Sequence, residues 1–179
     1  LVRVKPLIGR VAELGMPAVG LTEQSNMCSL VRFYKAAMGA GVKPIIGADI
    51  WLENPDEPET PFRLTLLARD NDGYLNLTEI ISQGYTEGQR YGKPIVQKSW
   101  LESRAKGLIV LSGAKMGDVG KALLAGKPEL ARERADYWRK LYPDSYYLEL
   151  QRTGRAGDED CLHMSVELAA ELGLPVVAT

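Results

Sequence analysis

Apolar residues fall along this chain in two periods. Leu7, Ile8, Val11 and Leu14 recur at helical spacing, and Gly15 supplies a stop. Pro17 introduces 18–21, a short buried-strand candidate. Leu30, Val31, Tyr34 and Met38 mark a second helix, closed by Gly39 and Gly41. Residues 44–52 read as a strand and 63–68 as the next. Between them, 54–61 holds three prolines, three acids and an asparagine, which predicts a surface loop or a hairpin turn.

Tyr74, Leu75, Leu77, Ile80 and Ile81 lie on a helix that fades into a polar loop over 84–92. A short helix carries Trp100 and Leu101, ahead of the strongly apolar strand 108–111. Residues 118–124 read as a short helix. Pro128 fits the first turn of another, ending at Leu141, because that position needs no amide donor. Strand 146–150, helix 158–172 with an acidic first turn, and strand 175–178 complete the chain. Continuously apolar strands alternating with helices predict an α/β domain of roughly six parallel-type strands, too few for a complete eight-stranded barrel. No internal repeat or low-complexity linker divides it, so it reads as one unit, open at both ends.

Composition narrows the chemistry. The 179 residues are 45% hydrophobic and 25% charged, with 22 Lys+Arg against 23 Asp+Glu for a net charge of −1. That balance gives no general attraction to nucleic acid or to an anionic membrane. No apolar run approaches a membrane span, and no signal peptide opens the chain. The single histidine, His163, excludes zinc sites built from several imidazoles. Cys28 and Cys161 form no C-x-x-C pair; they read as free, buried thiols in a cytoplasmic protein. The chain begins at Leu1 rather than Met and moves straight into a helical pattern, so further sequence is expected upstream.

Candidate sites are few. Residues 113–121 join a strand to a helix where a phosphate loop would sit, but Lys115 and Ala122 break the Walker spacing and the dinucleotide fingerprint is absent. Glu23, Gln24, Asp49 and Glu149 lie at or near strand C-termini, where α/β sites gather and carboxylates hold hard cations. Arg132, Arg134, Arg139 and Lys140 alternate with Glu129, Glu133 and Asp136, the pattern of a solvated helix face. With one histidine, no Ser–His–Asp or Cys–His arrangement is possible.

The segment Leu21-Thr22-Glu23-Gln24-Ser25-Asn26-Met27-Cys28 and the helix after it resemble the T-D-H-x-N-L motif of PHP (polymerase and histidinol phosphatase) domains. The likeness continues through 41–49, 64–68, 73–77, 107–113, 147–150 and 174–179. Arg152-Thr153-Gly154 and the run 116–120 match the proteobacterial type found in the alpha subunits of bacterial DNA polymerase III. The resemblance implies a distorted (β/α)7 TIM-like barrel of the PHP type, incomplete at both ends. Residues 1–179 would be a PHP segment, with the first strand and its H-x-H motif upstream and the polymerase modules downstream. It further implies a cytoplasmic parent that synthesises DNA with magnesium. The partners would be a proofreading exonuclease subunit, the remaining polymerase modules, and DNA through the parent chain, with no membrane.

Against the family pattern, the metal-site positions are altered. The T-D-H acid and histidine are Glu23 and Gln24, the ligand Glu is Asp49, and later positions hold Arg63, Ala114 and Thr153, beside Glu149. The resemblance therefore implies no catalytic residue here. The expected role is a degenerate structural module that supports the polymerase and docks the exonuclease, with no resident cofactor. Glu23 and Asp49 alone would hold at most a weak manganese or magnesium ion. The alternative is an active metal-dependent phosphoesterase or 3′–5′ exonuclease using Glu23, Asp49 and Glu149.

Overall fold

The computed structural model describes residues 2–179. Helix α1 (Val4–Glu13) leads into β1 (Ala18–Gln24), α2 (Leu30–Gly39), β2 (Lys43–Leu52) and β3 (Phe62–Ala68). Then come α3 (Asn71–Thr86), β4 (Gln89–Arg90), β5 (Lys93–Val96), α4 (Lys98–Glu102) and β6 (Leu108–Leu111). After a 3-10 turn (Ala114–Met116) follow α5 (Asp118–Leu124), α6 (Pro128–Leu141), β7 (Tyr146–Leu150), α7 (Asp158–Leu172) and β8 (Val176–Ala178).

Hydrogen bonding orders the sheet β4-β5-β2-β3-β6-β7-β8, with β1 also paired to β2. Pairs β1–β2, β2–β5, β6–β7 and β7–β8 are parallel. Strand β3 departs from the predicted parallel arrangement: it runs antiparallel to both β2 and β6. The proline-rich connection at 53–61 is too short for a parallel crossover, so the chain folds back as a hairpin. The second difference is at 84–92. There α3 continues to Thr86 and a β4–β5 hairpin follows, turning through Tyr91 (φ 52°) and Gly92 (φ 71°). Both turn residues have positive φ, as a two-residue hairpin loop demands.

Two apolar clusters hold the chain together. The larger packs one face of the sheet's centre, including Ile50, Leu52, Leu64, Leu66, Val110 and Leu148, against α3, α5, α6 and α7. The smaller joins Ile8 and Val11 of α1, Leu21 of β1, and Phe33 and Ala37 of α2. Of the apolar residues that mark α2, Leu30 packs against this cluster, whereas Val31, Tyr34 and Met38 are 64%, 50% and 56% exposed. Phe33 and Ala37, one turn apart, form the buried face instead. No helix among the described residues is long and apolar enough to cross a membrane.

One polar network ties the helical layer. Asp118, fully buried at the start of α5, accepts bonds from Trp138 Nε1 at 3.0 and 3.1 Å and from the Val119 amide at 2.9 Å. Lys98 of α4 reaches the same carboxylate at 3.3 Å, and Arg134 Nη1 donates to its backbone carbonyl at 2.7 Å. A buried carboxylate is tolerable only with such compensation.

Candidate active-site cavity

Strand periodicity places a small set of polar side chains in one cavity. Successive side chains alternate faces, so residues two apart share one. Thr22 of β1, Asp49 of β2, Arg63 and Thr65 of β3, and Glu149 with Gln151 at the end of β7 line a cavity of about 390 Å³. Register supports the cluster: Asp49 pairs with Thr65, and Trp51 with Arg63. Leu111, Gly113, Met116 and Thr179 complete the wall. Gly113 (φ 75°) is needed there, because a Cβ at that position would collide with the Arg63 carbonyl.

Asp49 and Glu149 are 9% and 5% exposed, and the guanidinium of Arg63 is ion-paired to Asp49. Burial lowers the Arg63 pKa, and the negative charge of Glu149 works in the opposite direction. Arginine nevertheless stays cationic, so the cavity contains a fixed positive charge between acidic walls. Arg63 also lies over the face of Trp51, 5.7 Å from the ring centroid. Glu149 Oε1 accepts from Gln151 Nε2 at 2.9 Å and from Thr179 Oγ1 at 2.6 Å, while its amide donates to Ser112 Oγ at 2.9 Å. Asp49 Oδ1 and Glu149 Oε2 are buried with no hydrogen-bond partner.

The predicted site residues separate into two groups. Asp49, Arg63 and Glu149 converge. Glu23 does not: β1 extends to Gln24, so alternation turns Glu23 away from Thr22's face, and its carboxylate binds the Ser29 amide (2.9 Å) and hydroxyl (2.5 Å) at the start of α2. Gln24 Nε2 donates to the Asp49 carbonyl at 2.8 Å, tying β1 to β2 by backbone rather than offering a ligand. Ala114 is buried behind Glu149, in a minor crevice. Thr153 caps α7's entry, donating from its amide (2.8 Å) and hydroxyl (2.6 Å) to Asp158 Oδ2.

Sequence reading overlooked Thr22, Thr65, Gln151 and Thr179. For three of them a signal exists: Thr22-x-Gln24, Arg63-x-Thr65 and Glu149-x-Gln151 are polar pairs at period two inside apolar strands. The 113–121 turn is no free anion cradle, because Lys115 is paired to Asp158 at 2.5 Å and Lys121 donates to the Thr60 carbonyl at 3.2 Å. His163 is exposed on α7, 3.9 Å from Glu159. Cys161 is buried, whereas Cys28, expected inside, is exposed.

The cavity does not fit a metal cluster. Two carboxylates and one guanidinium are a poor donor set for a divalent cation, and Arg63 already occupies Asp49 as an ion-pair partner. Among the described residues no group of three or more His, Cys, Asp or Glu side chains converges to hold an ion.

Comparisons place this geometry among known proteins. The family model for the PHP domain matches residues 1–153. The chain is 54% identical over 179 residues to DNA polymerase III subunit alpha of Pseudomonas aeruginosa, and 47% identical over 179 residues to that of Escherichia coli K12. In each case all of this chain is covered, and it spans 15% of the relative's length. A crystal structure assigned as a metal-dependent phosphoesterase, from Bifidobacterium adolescentis, superposes with a TM-score of 0.58 at 11% identity, covering 99% of this chain and 81% of that one. An amidohydrolase from Chromobacterium violaceum gives 0.57 at 11% identity, over 94% and 78% of the two chains. These likenesses are of fold, and they agree with a distorted TIM-like barrel.

Proposed function

This chain belongs to the PHP domain family, and from that premise we propose that it is the PHP domain of a bacterial DNA polymerase III alpha subunit, serving as a structural module without phosphoesterase chemistry. The observation that carries the reading is Arg63. Its guanidinium pairs with Asp49 in the cavity and feels the charge of Glu149, so an internal cation stands in the middle of the acidic walls. A domain that supplies its own cation offsets the charge of Asp49 without an ion from solution.

In this reading residues 1–179 act as one PHP unit. The longer cytoplasmic chain performs template-directed DNA synthesis with magnesium through residues outside this segment. The domain supports that polymerase and docks its proofreading exonuclease subunit. Identity of 54% and 47% to two alpha subunits, along the whole of this chain and 15% of theirs, supports the parent's role in replication.

The second reading, a working metal-dependent phosphoesterase, draws on the unpartnered oxygens of Asp49 and Glu149. One experiment separates them. The full-length alpha subunit is incubated with manganese and p-nitrophenyl phosphate, and its affinity for the exonuclease subunit is measured with and without Arg63→Met. The structural reading expects no metal-dependent hydrolysis, a lower melting temperature in the variant and weaker exonuclease binding. Hydrolysis that requires manganese and disappears in Glu149→Gln would reject it.

A further inference from the structure

Helix α2 presents to solvent a surface that the fold does not use. Val31, Tyr34 and Met38 stand at i, i+3 and i+7, on one exposed stripe. Beside the stripe runs an apolar groove of about 330 Å³, to which Leu30, Ile46 of β2 and Tyr74 of α3 contribute. Contiguous exposed apolar surface of this kind marks an interaction site more often than a free face.

The neighbouring face of the same helix is cationic. Arg32 and Lys35, one turn apart, join Arg3 and Lys5 of the α1 entry in a second groove of about 930 Å³, and Lys35 borders both grooves. None of these four cations makes an ion pair among the described residues. The local acids are engaged elsewhere: Glu13 with Arg10, Glu23 with Ser29. The asymmetry extends through the sequence. Residues 1–48 hold six cations and two acids, although the whole chain is at −1.

We infer that this α1–α2 face docks an acidic amphipathic segment of a partner protein. Apolar side chains spaced one helical turn apart would lie along Val31, Tyr34 and the Tyr74 groove. Aspartates or glutamates on the segment's flank would meet Arg32, Lys35, Arg3 and Lys5. This is helix-in-groove recognition with charge complementarity fixing the register. Single-stranded nucleic acid fits less well, because it needs a run of aromatic faces for its bases. Here Tyr34 and Tyr74 stand among aliphatic Leu30, Val31 and Ile46. The surface shares no residue with the Arg63 cavity, so the inference stands apart from the structural reading of that site.

The test uses the full-length chain and a fluorescein-labelled helical peptide of about 16 residues, with leucines at i, i+4 and i+7 and glutamates flanking them. Fluorescence anisotropy should show saturable binding. Arg32→Glu with Lys35→Glu should weaken it about tenfold or more, with a steep dependence on salt. Tyr34→Ala should weaken it by a similar factor with little change in salt dependence. Melting temperatures of these surface variants should match the parent's. A peptide with the same leucines and flanking lysines should not bind. The inference is overturned by absence of binding, by affinities unchanged in the variants, or by oligo(dT) competing for the site through Arg32 and Lys35. Self-association of the chain that is abolished by the same substitutions would overturn it too.

Discussion

Arg63 and Glu23 show how single side chains set the character of this domain. Arg63 is half-buried against a carboxylate with little access to water. Removing it leaves Asp49 and Glu149 facing each other without a counter-charge. Arg63→Met should therefore destabilise the chain by about 1–3 kcal/mol, below the figure for a fully buried pair because Arg63 keeps partial solvent contact. Adding Asp49→Asn should restore most of the loss, and denaturant unfolding would read both. Glu23 has a different part from the one its position in the motif implies. It caps α2, so Glu23→Ala should cost about 1 kcal/mol, in the range of other lost helix caps. If Glu23 held an ion instead, manganese would raise the melting point of the parent and not of the variant. Identical responses to manganese are expected.

At the scale of elements, polar anchors between helices and strands do what apolar packing alone does not. Asp118 gathers α4, α5 and α6 onto one carboxylate. Asp158 organises the entry to α7, accepting from Lys115 Nζ, from Thr153 through amide and hydroxyl, and from the Arg155 amide at 3.1 Å. Lys115 and these donors hold the Asp158 carboxyl well below the usual carboxylate range. A depressed folded-state pKa gives stability that is present above the unfolded value, near pH 4, and lost as the pH falls toward the folded one. Acid unfolding should therefore include a component from Asp158 below about pH 4. In Asp158→Asn the protein should start less stable at neutral pH and lose less on acidification, as pH-dependent thermal melts would record.

Across the whole molecule, the sheet wraps a cavity whose walls come from β1, β2, β3, β6 and β7, together with Thr179 beyond β8. β1 and β8 are not hydrogen-bonded to each other, so the wall is open between them among the described residues. The acidic cavity and the basic α1–α2 face use separate residues. Their separation makes a whole-molecule prediction: charge reversal at Arg32 and Lys35 should alter partner binding and leave the response to Arg63→Met unchanged. Additive melting shifts in the triple variant would establish that independence.

Much of the architecture was legible in the residues. Helices α5, α6 and α7 match the predicted bounds, because Pro128, the acidic first turn of α7 and the glycine stops are local signals. That Gln24, Arg63 and Thr153 carry no imidazole is likewise written in the sequence, and chemistry alone makes those side chains poor metal ligands. What sequence could not decide was direction and facing. The short 53–61 connection is a local reason for the β2–β3 hairpin, but the antiparallel pairing of β3 with β6 joins segments far apart in the chain. The inner face of α2 is set by packing Phe33 and Ala37 against α1 and β1, a choice among its apolar residues that spacing alone leaves open. Glu23 and Asp49 looked alike as strand-end acids, yet the continuation of β1 to Gln24 turned Glu23 outward to cap a helix while pairing held Asp49 inward beside Arg63. Residue type and local period are written in the chain; which side of a strand or helix meets which partner is fixed only when distant segments pack together.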